Sequence, residues 1–364
     1  MKYYKLIIIC SIFVIVFNMT LAKAEKSNEI KPDISGIEKY LVDNNYKFNY
    51  NEILKIVKDG QYKKLVSIFI GSIKDEFEND LVYYKNIMLR LFYICIIFLL
   101  FKIFFESKNE YTDIIMFFFV FGVIIELYFN MYDKCYKTVS GITEFIKATL
   151  PVYFGTTTIF TGRIPFSVYA AFVVFIGLFQ WLCLLLVFPL QNFSFLCTVL
   201  GGIYSGFDFA YLKKQITGIV RIILGAYTTF FILGMKLTQT ISYSSQKVIL
   251  TGIQYTLTNG IPVIGGFLSE TAETLFSSLI LIHNSVGISA VVIIFMIVFL
   301  PFITIFIISL IIKLFCSVLF TIIDSKFIKT VYEFGECICE LSVILLCCSV
   351  TFIIGLATEF ISVR

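Results

Sequence analysis

A single histidine, His283, sets the first limit on chemistry. Any Ser-His-Asp or Cys-His nucleophile would have to use it, and no local motif around it supports that role. The chain carries no H-E-x-x-H, no G-x-x-x-x-G-K-[ST], and no G-x-G-x-x-G opening a helix after a strand. ATP hydrolysis by a P-loop route is excluded, and no catalytic, cofactor-binding or metal-ligating set is expected. The ten cysteines do not change this. Cys10 falls in an N-terminal leader, Cys135 stands alone in a connector, and Cys95, Cys183, Cys197, Cys316, Cys347 and Cys348 sit in apolar runs. Cys337 and Cys339 are two positions apart, about 200° around a helix, and cannot chelate one ion. Buried free thiols act as small hydrophobes.

Ionisable residues inside apolar sequence carry more weight, because each is costly in lipid and often marks a polar pathway. Glu126 and Lys313 are of this kind, and a buried pair between them is one arrangement to test. Glu333, Glu336 and Glu340, spaced i, i+3 and i+7, share one helix face, with Lys326 and Lys329 near enough to neutralise part of it. A solvated interfacial stripe is the favoured reading of that face. Glu270 and Glu273 follow a Pro-Val-x-x-Gly turn near a helix start, where carboxylates complement the helix dipole.

The elements that position these residues are membrane helices. Of 364 residues, 59% are hydrophobic and only 15% charged, against about 45–50% and about 25% in soluble domains. Mean hydropathy is +0.91. The net charge of +4 offers no basic footprint for nucleic acid. The expected class is an all-α polytopic membrane protein: a signal peptide, a short extracytoplasmic helical segment, and about six to eight transmembrane helices.

Residues 1–24 read as a signal peptide: basic Lys2 and Lys5, the apolar run Leu6–Phe17, and Ala22-Lys23-Ala24 as the cleavage site. The mature N-terminus, Glu25, then lies outside the cytoplasm. Residues 25–86 form the charged extracytoplasmic segment, with Gly60 as a break between two amphipathic helices that either contact a membrane surface or partner or form a solvated cap. Apolar runs follow at Ile87–Phe105, Ile114–Met131, Phe166–Phe188, Leu190–Phe207, Ile216–Met235, Val286–Leu300, Phe302–Ile323 and Leu341–Ala357. Pro189 and Pro301 are expected to break or kink their runs. Lys213, Lys214 and Arg221, the densest basic cluster beside a span, are expected in the cytoplasm.

Self-similarity divides the rest. Ser140-Gly141-Ile142 with Leu150-Pro151-Val152-x-x-Gly155 recurs as Thr251-Gly252-Ile253 with Ile261-Pro262-Val263-x-x-Gly266. Phe188-Pro189 answers Leu300-Pro301, and Thr229–Gly234 answers Thr351–Gly355. After the first two spans (87–132), the reading is one membrane repeat over 133–245 and a second over 246–364. Three crossings per repeat would invert their relation and two would make them parallel. Pro151, Gly155, Pro262, Gly265 and Gly266, with Glu126 and Lys313, are the candidate structural or functional residues.

The stretch Ile261–Phe302 resembles the stage III sporulation protein AE family of endospore-forming bacteria. The resemblance rests on Pro262–Gly266, Ser269–Thr274, His283–Gly287 and Ile288–Pro301 in that order. It implies a non-enzymatic core or platform of a secretion-like channel complex linking mother cell and forespore, in the mother-cell membrane around the forespore and needed for forespore development. The implied partners are the other subunits of that complex, including a cytoplasmic ATPase and ring-forming proteins, together with membrane lipid. Nucleic acid is not a partner, and a homo-oligomer stays open. The rival expectation is an autonomous secondary transporter built from the internal repeat.

Overall fold

The structure, a computed structural model, describes residues 34–44, 46, 48–105, 110–161, 166–204, 207–260, 265–322 and 326–362. The signal peptide and Pro262 lie outside them. Among the described residues there are nine α-helices and no strand. They are α1 (Ser35–Asp43), α2 (Tyr50–Lys58), α3 (Tyr62–Phe105), α4 (Glu110–Thr161), α5 (Phe166–Leu182), α6 (Phe188–Ile203), α7 (Phe209–Gly260), α8 (Gly265–Ile322) and α9 (Lys326–Ser362). They form two compact units. The first holds residues 1–68, 148–165 and 244–292; the second holds 69–147, 166–243 and 293–364.

In the first unit, α2 shows how a charged segment still builds an apolar contact. The Asn49 side chain caps the helix by accepting from the Asn51 amide at 2.8 Å. Ile53, Leu54, Ile56 and Val57 share the buried face, while Glu52 and Lys55 are exposed. Gly60 ends the helix with φ +66°, a left-handed conformation that other residues adopt only at a cost. The apolar face of α2 is therefore covered by protein: Tyr50, fully buried, donates its hydroxyl to the Val286 carbonyl at 3.1 Å. Burial holds that phenol neutral by pushing its pKa above the ordinary value. Beyond Gly60, the chain continues as one 44-residue helix, α3.

Five helical stretches among the described residues are long and apolar enough to cross a membrane: Val82–Phe101, Ala170–Ile203, Phe209–Leu237, Ser285–Ile322 and Lys326–Ile354. The run Ile114–Met131 lies in α4 and is not among them. Two pairs of expected spans merge. At Pro189 the chain stays helical from α5 into α6, because the turn Cys183–Val187 just before it is a wider π-turn. A proline ring clashes with the carbonyl four residues back, here Leu185, and the wider turn carries that carbonyl aside. Pro301 likewise sits inside α8, and Pro151 inside α4 where a Pro-Val turn was expected. Proline therefore does not divide these helices. Cys135, expected in a connector, lies buried in α4.

In the second unit α7 and α9 pack side by side and run in the same direction. Lys213 meets Glu333 and Glu336, Arg221 meets Glu340, and Thr228 meets Thr351, so the partners climb both helices together. Helix α6 runs antiparallel to both, with Ser194 beside Thr217 and Phe195 against Phe334 while Gln191 reaches Cys337. Helix α4 is antiparallel to α5 and α6: Tyr128 stacks on Phe195 at 3.8 Å, Tyr132 and Tyr136 lie on Phe188, and Lys147 donates to Gln180 at 2.8 Å.

Candidate functional site: a polar seam between α7 and α9

The acidic face predicted on α9 is present, and α7 supplies its cations. Lys213 is buried, with its side chain 8% exposed. Its Nζ donates to the Glu333 carbonyl at 3.0 Å and to Glu336 Oε2 at 3.4 Å, and stands 3.9 Å from Glu333 Oε2. Two turns further along, Arg221 grips Glu340 through both Nε and a terminal nitrogen. That fork matches the two oxygens of a carboxylate, a geometry lysine cannot reproduce. The stripe packs as an interhelical seam in which Glu333 and Glu340 are largely covered while Glu336 and Arg221 keep about half of their side chains exposed. An unpaired charge costs about 2.5–3.5 kcal/mol or more at the centre of a membrane helix and less toward its ends, so pairing matters most for Arg221 and Glu340, well inside their stretches.

A second polar group joins the seam from α6 and α4. Gln191 is fully buried; its Nε2 donates to the Cys337 carbonyl at 2.9 Å, while its Oε1 has no hydrogen-bond partner. Thr198 Oγ1 lies 3.2 Å from Cys337 Sγ. Tyr128 donates its hydroxyl within 3.2 Å of both the Gln191 carbonyl and Asn192 Oδ1. The Cys135 thiol donates to the Leu341 carbonyl at 3.5 Å. These contacts tie α4, α6 and α9 through polar atoms, which is how helices gain specificity where lipid tails compete for apolar contacts. Elsewhere in the same unit, Asp80 of α3 pairs with Lys134 of α4 and accepts from Thr304 of α8 at 3.3 Å.

The candidates named from sequence are dispersed. Glu126 is exposed on α4 and forms no ion pair with Lys313 among the described residues. Lys313 is half-buried on α8, where its Cγ lies 3.0 Å from where a Cβ on Gly335 would stand. Pro151 and Gly155 are exposed on α4, and a Cβ on Gly155 would meet nothing within 4 Å. Gly265 and Gly266 open α8. The surroundings of Gly265, Gly266, Glu270, Glu273 and His283 lie outside the described residues. Among those described, no group of three His, Cys, Asp or Glu side chains could hold a metal ion. The described cysteines are free, and most are buried.

In the sequence, Lys213 and Arg221 stand out only as members of a basic cluster beside an apolar run. Their spacing, two helical turns apart, was the signal that could have paired them with acids seven apart on another helix.

Neither the curated proteins nor the solved structures contain a match to this chain. The family model described as stage III sporulation protein AE matches residues 48–362, nearly all of the chain and every helix of the seam, so the chain belongs to that family.

Proposed function

We propose that this protein is a non-enzymatic integral membrane component, a core or platform, of the channel complex that links mother cell and forespore during sporulation. The observation that carries the reading is the family match across 48–362, which makes the protein sporulation-related. Five apolar helices, each long enough to span a bilayer, agree with a membrane site of action. The polar contacts that join α4, α6, α7 and α9 tie helices to one another, as a structural core requires. In this reading the protein sits in the mother-cell membrane around the forespore, with Glu25 as an extracytoplasmic mature N-terminus. It works with a cytoplasmic ATPase and ring-forming subunits, and forespore development requires it.

The test is affinity purification of the tagged full chain from sporulating cells in mild detergent. Recovery of the ATPase and ring-forming subunits with it is the expected result. A chain that purifies alone and moves solute across liposomes unaided would instead be a transporter.

A further inference from the structure

The self-similar stretches of the sequence fall on helices that correspond in order. Phe188-Pro189 opens α6, and Leu300-Pro301, 112 positions on, lies in α8. Thr229 lies in α7, and its counterpart Thr351, 122 positions on, lies in α9. The joined helices α5 and α6 therefore answer α8, and α7 answers α9. Each repeat holds two apolar stretches: Ala170–Ile203 and Phe209–Leu237 in the first, Ser285–Ile322 and Lys326–Ile354 in the second.

The two hairpins also share a packing register. In the first, α6 and α7 are antiparallel, with Ser194 3.4 Å from Thr217. The offsets of 112 and 122 carry those residues to Phe306 and Cys339. In the second hairpin Ser309 donates to the Gly335 carbonyl at 2.7 Å. That contact lies three residues on along α8 and four back along α9. Between antiparallel helices such steps cancel to within one residue, so both hairpins pack along the same line, one turn apart.

The seam joins one hairpin to the other. Lys213 meets Glu333 and Glu336, Arg221 meets Glu340, Thr228 meets Thr351, and Phe231 lies against Phe352. These partners stand 119 to 123 positions apart, which brackets the repeat offset of 122. A helix that meets its own counterpart at equal height, running the same way, lies beside a twofold axis parallel to itself. Inverted repeats would set counterparts in opposite directions.

We propose that the seam is the interface of an internal pseudo-dimer. The repeats are parallel, related by a twofold axis along the membrane normal between α7 and α9, and each covers the polar face of the other. An exact twofold would set like charges against each other across a helix contact, which lipid punishes. Duplication within one chain lets the copies diverge: α7 carries Lys213 and Arg221, and α9 carries Glu333, Glu336 and Glu340. Glu336 answers Lys214, so that position has changed sign between the copies. The divergence directs pairing, because α7 fits α9 and repels a second α7. The acidic face of α9 is thus occupied by its own chain and closed to a further subunit.

This pairing rests on the membrane reading above but not on the partner subunits, so their recovery and the pairing of repeats can fail separately. Val220 and Ser342, both buried, are chosen by the offset alone. In membrane vesicles carrying the full chain, Val220→Cys with Ser342→Cys, and Thr228→Cys with Thr351→Cys, are mildly oxidised. Mass spectrometry of the linked peptides separates the new bonds from any made by native cysteines. Both pairs should link at least about tenfold more than the crossed pairs Val220→Cys with Thr351→Cys and Thr228→Cys with Ser342→Cys. The crossed positions stand about 12–14 Å apart along the helices, beyond the reach of a disulfide. Preferential linking of the crossed pairs is the inverted pattern and overturns the proposal. A second measurement needs no new thiol: Lys213→Glu combined with Glu336→Lys should raise the folded fraction in detergent about tenfold over Lys213→Glu alone. No recovery there overturns the directed pairing.

Discussion

The contact between α7 and α9 changes character along its length. From Lys213 to Arg221 it is ionic, with two cations set among three carboxylates. From Leu224 onward it is apolar and aromatic: Tyr227, Phe231 and Met235 are buried, with Phe231 6.3 Å from Phe352 and Phe179 5.0 Å from it. One neutral bond, Thr228 to Thr351 at 2.7 Å, interrupts that half. In water the aromatic half would dominate, because burial there removes apolar surface from solvent. In lipid the tails solvate phenyl rings nearly as well as another helix does, so the gain is packing alone. Aromatic contacts also tolerate sliding by part of a turn, whereas an ion pair that slips leaves charges stranded. The ionic half thus fixes register and direction, and the aromatic half fills space.

Removing one charge partner should have the largest effect. Lys213→Met strands Glu333 and Glu336 together and should lower stability by about 3–5 kcal/mol, read by detergent-induced unfolding of the purified protein. Adding Glu336→Gln to that variant should recover part of the loss. If Lys213→Met unfolds like the unsubstituted chain, the seam carries no energy. Phe352→Ala comes next, at about 3 kcal/mol, the low end for phenylalanine truncation because lipid reduces the transfer term. A larger loss there than at Lys213 would reverse the ranking of the two halves.

Arg221→Lys keeps the charge and discards the fork. With the guanidinium half-exposed, the cost should be under about 1 kcal/mol, seen as a small shift in the same unfolding curve. Thr228→Val sets the floor, at about 0.6 kcal/mol, the average found for hydrogen bonds between membrane helices.

Much of this architecture is visible in composition and periodicity. Apolar runs mark the helices, and the i, i+3, i+7 spacing of Glu333, Glu336 and Glu340 places them on one face. Gly60 marks a real break, since its backbone is left-handed. What local pattern does not show is who faces whom. The cations that answer the acidic face lie more than a hundred residues away, so the face reads as solvated until α7 is placed against it. Proline misleads for a related reason. A sequence shows that Pro189 lacks a donor and crowds Leu185, but the remedy is a π-turn, a feature of backbone geometry with no residue signature. The amphipathic α2 is legible as a helix with an apolar face, yet only Tyr50 on Val286 reveals that protein covers it.

The pairing also alters how membrane orientation is read. Lys213 and Arg221 are bound to carboxylates in the seam, while Lys214 is exposed. The orientation rule counts Lys and Arg in connecting loops, and Lys213, Lys214 and Arg221 all lie inside the apolar stretch Phe209–Leu237. Direction comes instead from the helices. Because α7 and α9 run together, Asp208 before one and Lys326 at the start of the other belong at the same membrane face.

That arrangement can be measured in one experiment. Asp208→Cys and Lys326→Cys, each introduced singly into the full chain, are labelled in sealed vesicles with a membrane-impermeant thiol reagent, with and without permeabilisation. Side-by-side crossing predicts that both positions react from one and the same side. Reaction from opposite sides would mean that α7 and α9 traverse the membrane in opposite directions, and the seam described here would not exist.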